Sequence, residues 1–301
     1  MIGFFRIDTL TLLVLVALCG CNQPNLRGAP ADVALAEKLR LEAAEAASGA
    51  GDGGSQAAQP KRTGWATLRG TIRVVGDPPK PGILTITKDQ QVCAPGGETV
   101  LSPAIVVDPA TGGLANLALY ALDLSGDNVH PDAQAGKTDE VIFDQKNCMF
   151  LSHVLPLQAT QTLKILNSDS IPHNTKIDGK ASKFENVNLV PRGSAMYVPG
   201  RQEKSPIPVS CSIHPWMSAY LLPRDNSYAV VTGPDGSFEL ANLPAGVDLS
   251  IQAWHEMIDS FNDITVNGKK TSWKRGRMAL DGPLAPDEVR ELKIEIPATA
   301  L

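Results

Sequence analysis

The chain has 301 residues, 43% of them hydrophobic and only 5% aromatic, and its 27 Lys and Arg against 32 Asp and Glu give a formal net charge of −5. That length supports one large or two ordinary domains with real cores, and the charge leaves no basic footprint, so a nucleic-acid partner is not expected. The 26 glycines and 23 prolines, without a regular heptad pattern, favour many short strands over long helices.

The first twenty residues read as a targeting segment. "MIGFFRIDTLTLLVLVALCGC" carries Arg6, an apolar run from Leu10 to Leu18, and small residues before Cys21. The run is short for a bilayer crossing and fits the apolar part of a secretory signal. Leu18-Cys19-Gly20-Cys21 resembles the lipobox of bacterial lipoproteins, which implies cleavage after residue 20 and lipidation of Cys21. An ordinary secretory signal with two incidental cysteines is the competing reading. Asn22 rather than aspartate follows the anchor, so the resemblance implies an outer-membrane lipoprotein of the cell envelope, held to the membrane by its N-terminal lipid.

Residues 21–62 read as a tether: "PADVALAEKLRLEAAEAAS" suits one helix, and "GAGDGGSQAAQPKR" a flexible linker. Beyond it Cys93, Cys148 and Cys211 remain, and an oxidising compartment favours a disulfide between two of them. Any two can pair; a Cys93–Cys148 bond leaves Cys211 free for a metal.

The folded body begins near Gly64. "WATLRGTIRVV" alternates Ala66, Leu68, Ile72 and Val74 against Thr67, Arg69, Thr71 and Arg73, the pattern of a half-buried strand. "GILTITK", "LANLALYAL", "EVIFD" and "QTLKILNSD" are further strand candidates. Strand grammar resumes after residue 225, with a Pro-Asp-Gly turn at 234–236, a hairpin signal at Asn267-Gly268 and a closing "ELKIEI" strand. The fold class is all-β. "TGPDGSFELANLPAG" resembles the carboxypeptidase regulatory-like family of small transthyretin-like β-sandwiches, and "LRGTIRVVG" is similar to the opening strand of that family. The resemblance implies one outer sandwich built from residues 63–138 and 224–301, with residues 139–223 inserted between them. Two consecutive domains are the alternative.

The most informative stretch is "VSCSIHPWMSAY", which sets Cys211, His214 and Met217 at intervals of three around Pro215. Upstream, "LKILNSDSIPHNTKI" supplies His173 after a strand and a turn. A thiolate, two imidazoles and a thioether form the donor set that suits copper electron transfer, whereas zinc sites draw four ligands from Cys and His. Taken singly, each residue has a structural reading: a turn histidine, a buried cysteine, a core methionine, an exposed loop histidine. Together, "IPHN" and "CSIHPWM" resemble the cupredoxin (blue-copper) family, in its amicyanin-like and plastocyanin-like branches, over residues 139–223. The resemblance implies a Greek-key β-sandwich holding one mononuclear type 1 copper ion by His173, Cys211, His214 and Met217. It implies that Asn174 ties the two ligand loops together and points its N–H at the Cys211 sulfur. Ile213 stands where amicyanin-like members carry proline, so its N–H is free to donate a second bond to sulfur. It also implies an apolar collar of Ile171, Pro172, Pro215 and Trp216 around an exposed edge of His214, where a redox protein partner docks.

His153 lies near Cys148 and reads as strand packing or an outer group of the site; His130 reads as solvated and His255 as structural. No His-x-His pairs, Ser-His-Asp set or paired carboxylates stand out, so an enzyme is not expected. Single-electron transfer is the first reading. Copper capture and delivery at the cell surface, or a surface scaffold with a secondary metal site, are the alternatives.

Overall fold

The alternating residues that open the body form a twelve-residue strand, β1 (Gly64–Val75), with Ala66, Leu68, Ile72 and Val74 buried. The computed structural model describes residues 60–278 and 280–301; the expected lipidation site Cys21, the expected signal and residues 21–59 of the expected tether lie outside the described residues. The strands that follow are β2 (Ala118–Leu122), β3 (Glu140–Lys146), β4 (Met149–Phe150), β5 (Val154–Gln158), β6 (Thr162–Asn167), β7 (His173–Ile177), β8 (Glu185–Leu189), β9 (Ser194–Tyr197), β10 (Ile207–Ser210) and β11 (Ser218–Arg224). The last third contributes β12 (Ala229–Val231), β13 (Ser237–Ala245), β14 (Ser250–Trp254), β15 (Phe261–Val266), β16 (Lys269–Trp273), β17 (Arg277–Met278) and β18 (Val289–Pro297). The one α-helical turn among the described residues is α1 (Gln90–Cys93). Among the described residues no helix is long and apolar enough to cross a membrane.

Both ends of the body share sheets. One sheet runs β13-β1-β18-β15-β16 and a second β12-β2-β14-β17, and their inner faces enclose a core that includes Leu68, Ile72, Leu119, Leu240, Ile251, Ile264 and Trp273. β1 pairs parallel with β18, and Gly70 sits opposite Leu292. A Cβ at Gly70 would lie 2.1 Å from the Leu292 carbonyl oxygen, so only glycine allows the two backbones to approach. The Asn267-Gly268 turn joins β15 to β16, and Asn267 and Gly268 both have positive φ, as a tight hairpin of this type needs.

The strands between the two halves form a second pair of sheets, β5-β11-β10-β7-β8 and β4-β3-β6-β9. Their core holds Phe143, Leu163, Ile165, Ile177, Val209 and Leu221, together with Cys211 and Met217. Each such aliphatic side chain contributes about 1.5–3 kcal/mol by leaving water. The two sandwiches meet at Ala118, Tyr120, Val154 and Leu222. Arg224, at the end of β11, clamps the junction: its guanidinium donates to the carbonyls of Glu203 and Ala121 and lies over the Tyr120 ring.

One strand expectation is corrected. "GILTITK" makes only an isolated bridge, Ile83 to Leu101, and Ile83 is 71% exposed. Pro78, Pro79 and Pro81 interrupt the backbone donors just before it, and no neighbouring strand supplies a ladder. Residues 76–108 instead form a strap that leaves the outer sandwich and packs Ile86, Val92 and Cys93 into the core of the inserted one.

Candidate metal centre

Strand register brings the first two candidate ligands together. β7 and β10 run antiparallel, with Val209 opposite Ile177 and Ser210 opposite Lys176. His173 opens β7 and Cys211 follows β10, so both lie at the same end of adjacent strands. From there the chain turns through Ser212, Ile213 and His214, and the Met217 N–H donates back to the His214 carbonyl at 3.0 Å before β11 begins. His173, Cys211, His214 and Met217 are all buried, and Met217 shares the core cluster of Cys211.

The donor atoms converge. Nδ1 of His173 lies 2.9 Å from Nδ1 of His214, and the Cys211 sulfur lies 3.9 Å from the latter. One ligand atom from each of His173, Cys211 and His214 falls within 4.8 Å of the others. Asn174 acts at two points: its backbone N–H donates to the Cys211 sulfur at 3.3 Å, and its side-chain oxygen accepts from the Ser212 N–H at 3.2 Å. Its amide nitrogen donates to Asn186 Oδ1, Val187 O and Asn188 Oδ1.

The second well-formed bond to sulfur comes from the His214 N–H, at 3.4 Å, rather than from Ile213. The Ile213 N–H still adds a smaller pull: a tight turn after Cys211 aims successive amides toward the sulfur. Burial pushes the Cys211 thiol up, but His173 and the amides of Asn174, His214 and Ile213 outweigh it and bring the pKa below its ordinary value. Such donors stabilise a thiolate, the form that binds metal.

Both imidazoles are held from behind by carboxylates that sequence reasoning did not single out. His173 Nε2 lies 2.7 Å from Asp169 Oδ2, and His214 Nε2 lies 2.9 Å from Asp89 Oδ2. Burial alone would lower the His173 pKa, but Asp169 and then Cys211 raise it to about 9. For His214, burial lowers the pKa and the Asp89 bond only partly opposes it, with His173 and Lys88 adding to the lowering. A proton on each Nε2 satisfies the bonds to Asp169 and Asp89 and turns both Nδ1 atoms into the site.

The expected collar is only partly present. Pro172 and Pro215 are exposed and Trp216 is half-buried, its ring 5.2 Å from that of His214. The expected exposed edge of His214 is absent: the side chain is 0% exposed, because Asp89 and the strap lie over Nε2. A Cys93–Cys148 disulfide fixes the strap there, with Cys211 the free cysteine among the described residues. The remaining histidines stand away from the ligands. His153 is buried and bonds Glu256, His130 packs edge-on against Trp65, and burial lowers the His255 pKa to about 4.

The donor types fit copper: two imidazole nitrogens and a stabilised thiolate that converge, with the buried Met217 in the same core cluster as Cys211. No family model and no curated protein match the chain. Among solved structures it is similar to amicyanin from Paracoccus versutus, at 15% identity over 31% of this chain and 91% of that one, with a TM-score of 0.26. A purple cupredoxin from Nitrosopumilus maritimus aligns at 20% identity over 28% of this chain and 98% of that one, with a TM-score of 0.24. A copper-containing nitrite reductase from Thermus scotoductus SA-01 aligns at 18% identity over 32% of this chain and 25% of that one, with a TM-score of 0.27. These structural neighbours are cupredoxins, matched at low TM-score over about a third of the chain.

Proposed function

We propose that this chain is an exported, lipid-anchored type 1 copper protein that passes single electrons between redox partners of the cell envelope. The observation that carries the reading is the convergence of His173 Nδ1, His214 Nδ1 and Cys211 Sγ in a buried pocket, with two N–H groups already donating to the sulfur. Copper held there supplies a one-electron couple between Cu(I) and Cu(II). The chain's own residues do the rest. The β7–β10 ladder and Asn174 hold His173 and Cys211 in register, so the ligand set need not rearrange as the charge of the centre changes. The amides of Asn174 and His214 stabilise the electron-rich thiolate. The packed core around Met217 excludes water. The exposed prolines 172 and 215, with Trp216, leave a small apolar surface beside the site, of the kind that suits a short-lived redox encounter.

The test is the visible spectrum of the copper-loaded protein beside a Cys211→Ser variant. A thiolate-to-copper band near ~600 nm that disappears in the variant supports the reading. Absence of the band in the wild-type protein, with metal analysis showing zinc or nothing, sinks it.

A further inference from the structure

The strap places one carboxylate where a bare imidazole edge was expected. Asp89 occupies the N-cap position of α1, yet its side chain makes no capping bond. Aspartate is favoured at that position because its oxygen can accept from the first helical N–H groups. Here it leaves them and reaches His214 Nε2 instead, at 2.9 Å and across 125 residues of sequence. Its backbone is left-handed, with φ of 51°, which aspartate tolerates better than most residues.

The contact is fixed in place. Four residues on, Cys93 bonds Cys148, and both sulfurs lie within 4.8 Å of a His214 ring nitrogen. Cys148 and Asn147 donate their N–H groups to Asp169 at 2.9 and 2.7 Å, and Asp169 holds His173 Nε2 at 2.7 Å. A closed chain of contacts therefore runs from one imidazole to the other, through Asp89, the disulfide and Asp169.

We propose that Asp89 is a positioning residue of the metal centre, acting through His214. It fixes the ring so that Nδ1 is the donor, makes that donor more basic, and occupies the edge through which a partner would otherwise reach the ligand. This rests on the copper reading. An electron-rich imidazole favours Cu(II) over Cu(I), so Asp89 holds the reduction potential down, and it slows electron exchange through the His214 edge.

The test uses the full chain with Asp89→Asn, which keeps the shape and removes the charge, Asp89→Ala, which removes the acceptor, and Asp89→Glu as the conservative rescue. Loss of an outer hydrogen-bond partner costs metal sites roughly 10–100-fold in affinity. Cu(II) affinity should fall within that range in the Ala variant and less in Asn, with a smaller loss for Cu(I). A tenfold difference between the two losses reads as a rise in potential of about 59 mV, which Glu should partly reverse. Side-chain nitrogen NMR of the metal-free protein gives an independent readout: His214 should be the Nε2–H form in the wild type and a mixture of tautomers in the Ala variant. An unchanged potential and an unchanged tautomer in Ala, with the ~600 nm band intact, overturn the proposal alone. If the wild-type protein shows no band, the copper reading fails, and the metal-free tautomer still decides whether Asp89 orients the ring.

Discussion

Removing the Cys93–Cys148 bond tests the mechanical role of the strap. The bond closes a loop with a sequence separation of 55 residues. In the chain-entropy account, such a closure removes about 14 cal/mol/K from the unfolded ensemble, or about 4 kcal/mol at 25 °C. Both cysteines are buried, so replacing them by alanine also gives up sulfur packing in the core around the site. Cys93→Ala/Cys148→Ala should therefore lose about 4 kcal/mol of stability, read by denaturant unfolding of metal-free protein at neutral pH with the slope held in view. Copper affinity should fall with it, because the strap that presses Asp89 on His214 is no longer tied to the turn at Asn147–Cys148. A loss below ~1 kcal/mol with copper affinity unchanged would mean that packing of Ile86 and Val92 alone seats the strap, and would refute the reasoning.

Asn174→Asp should cost more than Asn174→Ala: it sets a carboxylate oxygen against Asn186 Oδ1, Val187 O and Asn188 Oδ1, an uncompensated buried charge of the kind that costs about 3–5 kcal/mol. Paired unfolding curves check the order, and equal losses would show that a carboxylate at this position is not repelled by the three acceptors. Glu203 gives the pH prediction. Burial pushes its carboxyl up, but the N–H groups of Lys180, Ala181 and Ser182 and the Ser182 hydroxyl, all donating to Oε1, bring it below its ordinary value of 4.5. A carboxyl depressed in the folded state adds stability above its unfolded pKa and loses it as pH falls through the folded one. Glu203→Gln should be less stable at neutral pH and flatter below pH 4.5, as melting temperatures between neutral and acid pH would reveal; a parallel pair of curves would contradict the assignment.

The candidate ligands were legible because their chemistry is local. Cys211, His214 and Met217 share seven residues, and His173 follows a proline and opens a strand. The alternation of β1 was legible for the same reason, since every second residue faces one core. What could not be read was whatever depends on contacts across the fold. Asp89 stands in "TKDQQ", which looks like any solvated loop until the strap is seen folded over His214. Asp169 carried a faint signal, four residues before His173 in "NSDSIPH", but an aspartate in a turn usually bonds its own backbone. "GILTITK" misled because its alternation is real but has no partner strand; its isoleucines serve different ends, with Ile83 exposed and Ile86 partly buried against the core.

The division of labour among the ligands follows from this geometry. His173 and Cys211 stand at the ends of two hydrogen-bonded strands, so the ladder between β7 and β10 fixes their separation. His214 has no ladder. Within its own loop, the carbonyl held by the Met217 N–H and the amide pointing at sulfur constrain the backbone, and neither restrains the ring. Besides His173 and Trp216, the ring is held by Asp89, which arrives from a part of the chain more than a hundred residues earlier and is locked by a disulfide to the turn that also positions Asp169. Substitutions in the strap should therefore behave as metal-site substitutions despite their distance in sequence. By the same logic, the Cys-Ser-Ile-His-Pro-Trp-Met loop transplanted without the strap would carry the donors but leave the His214 ring free to turn.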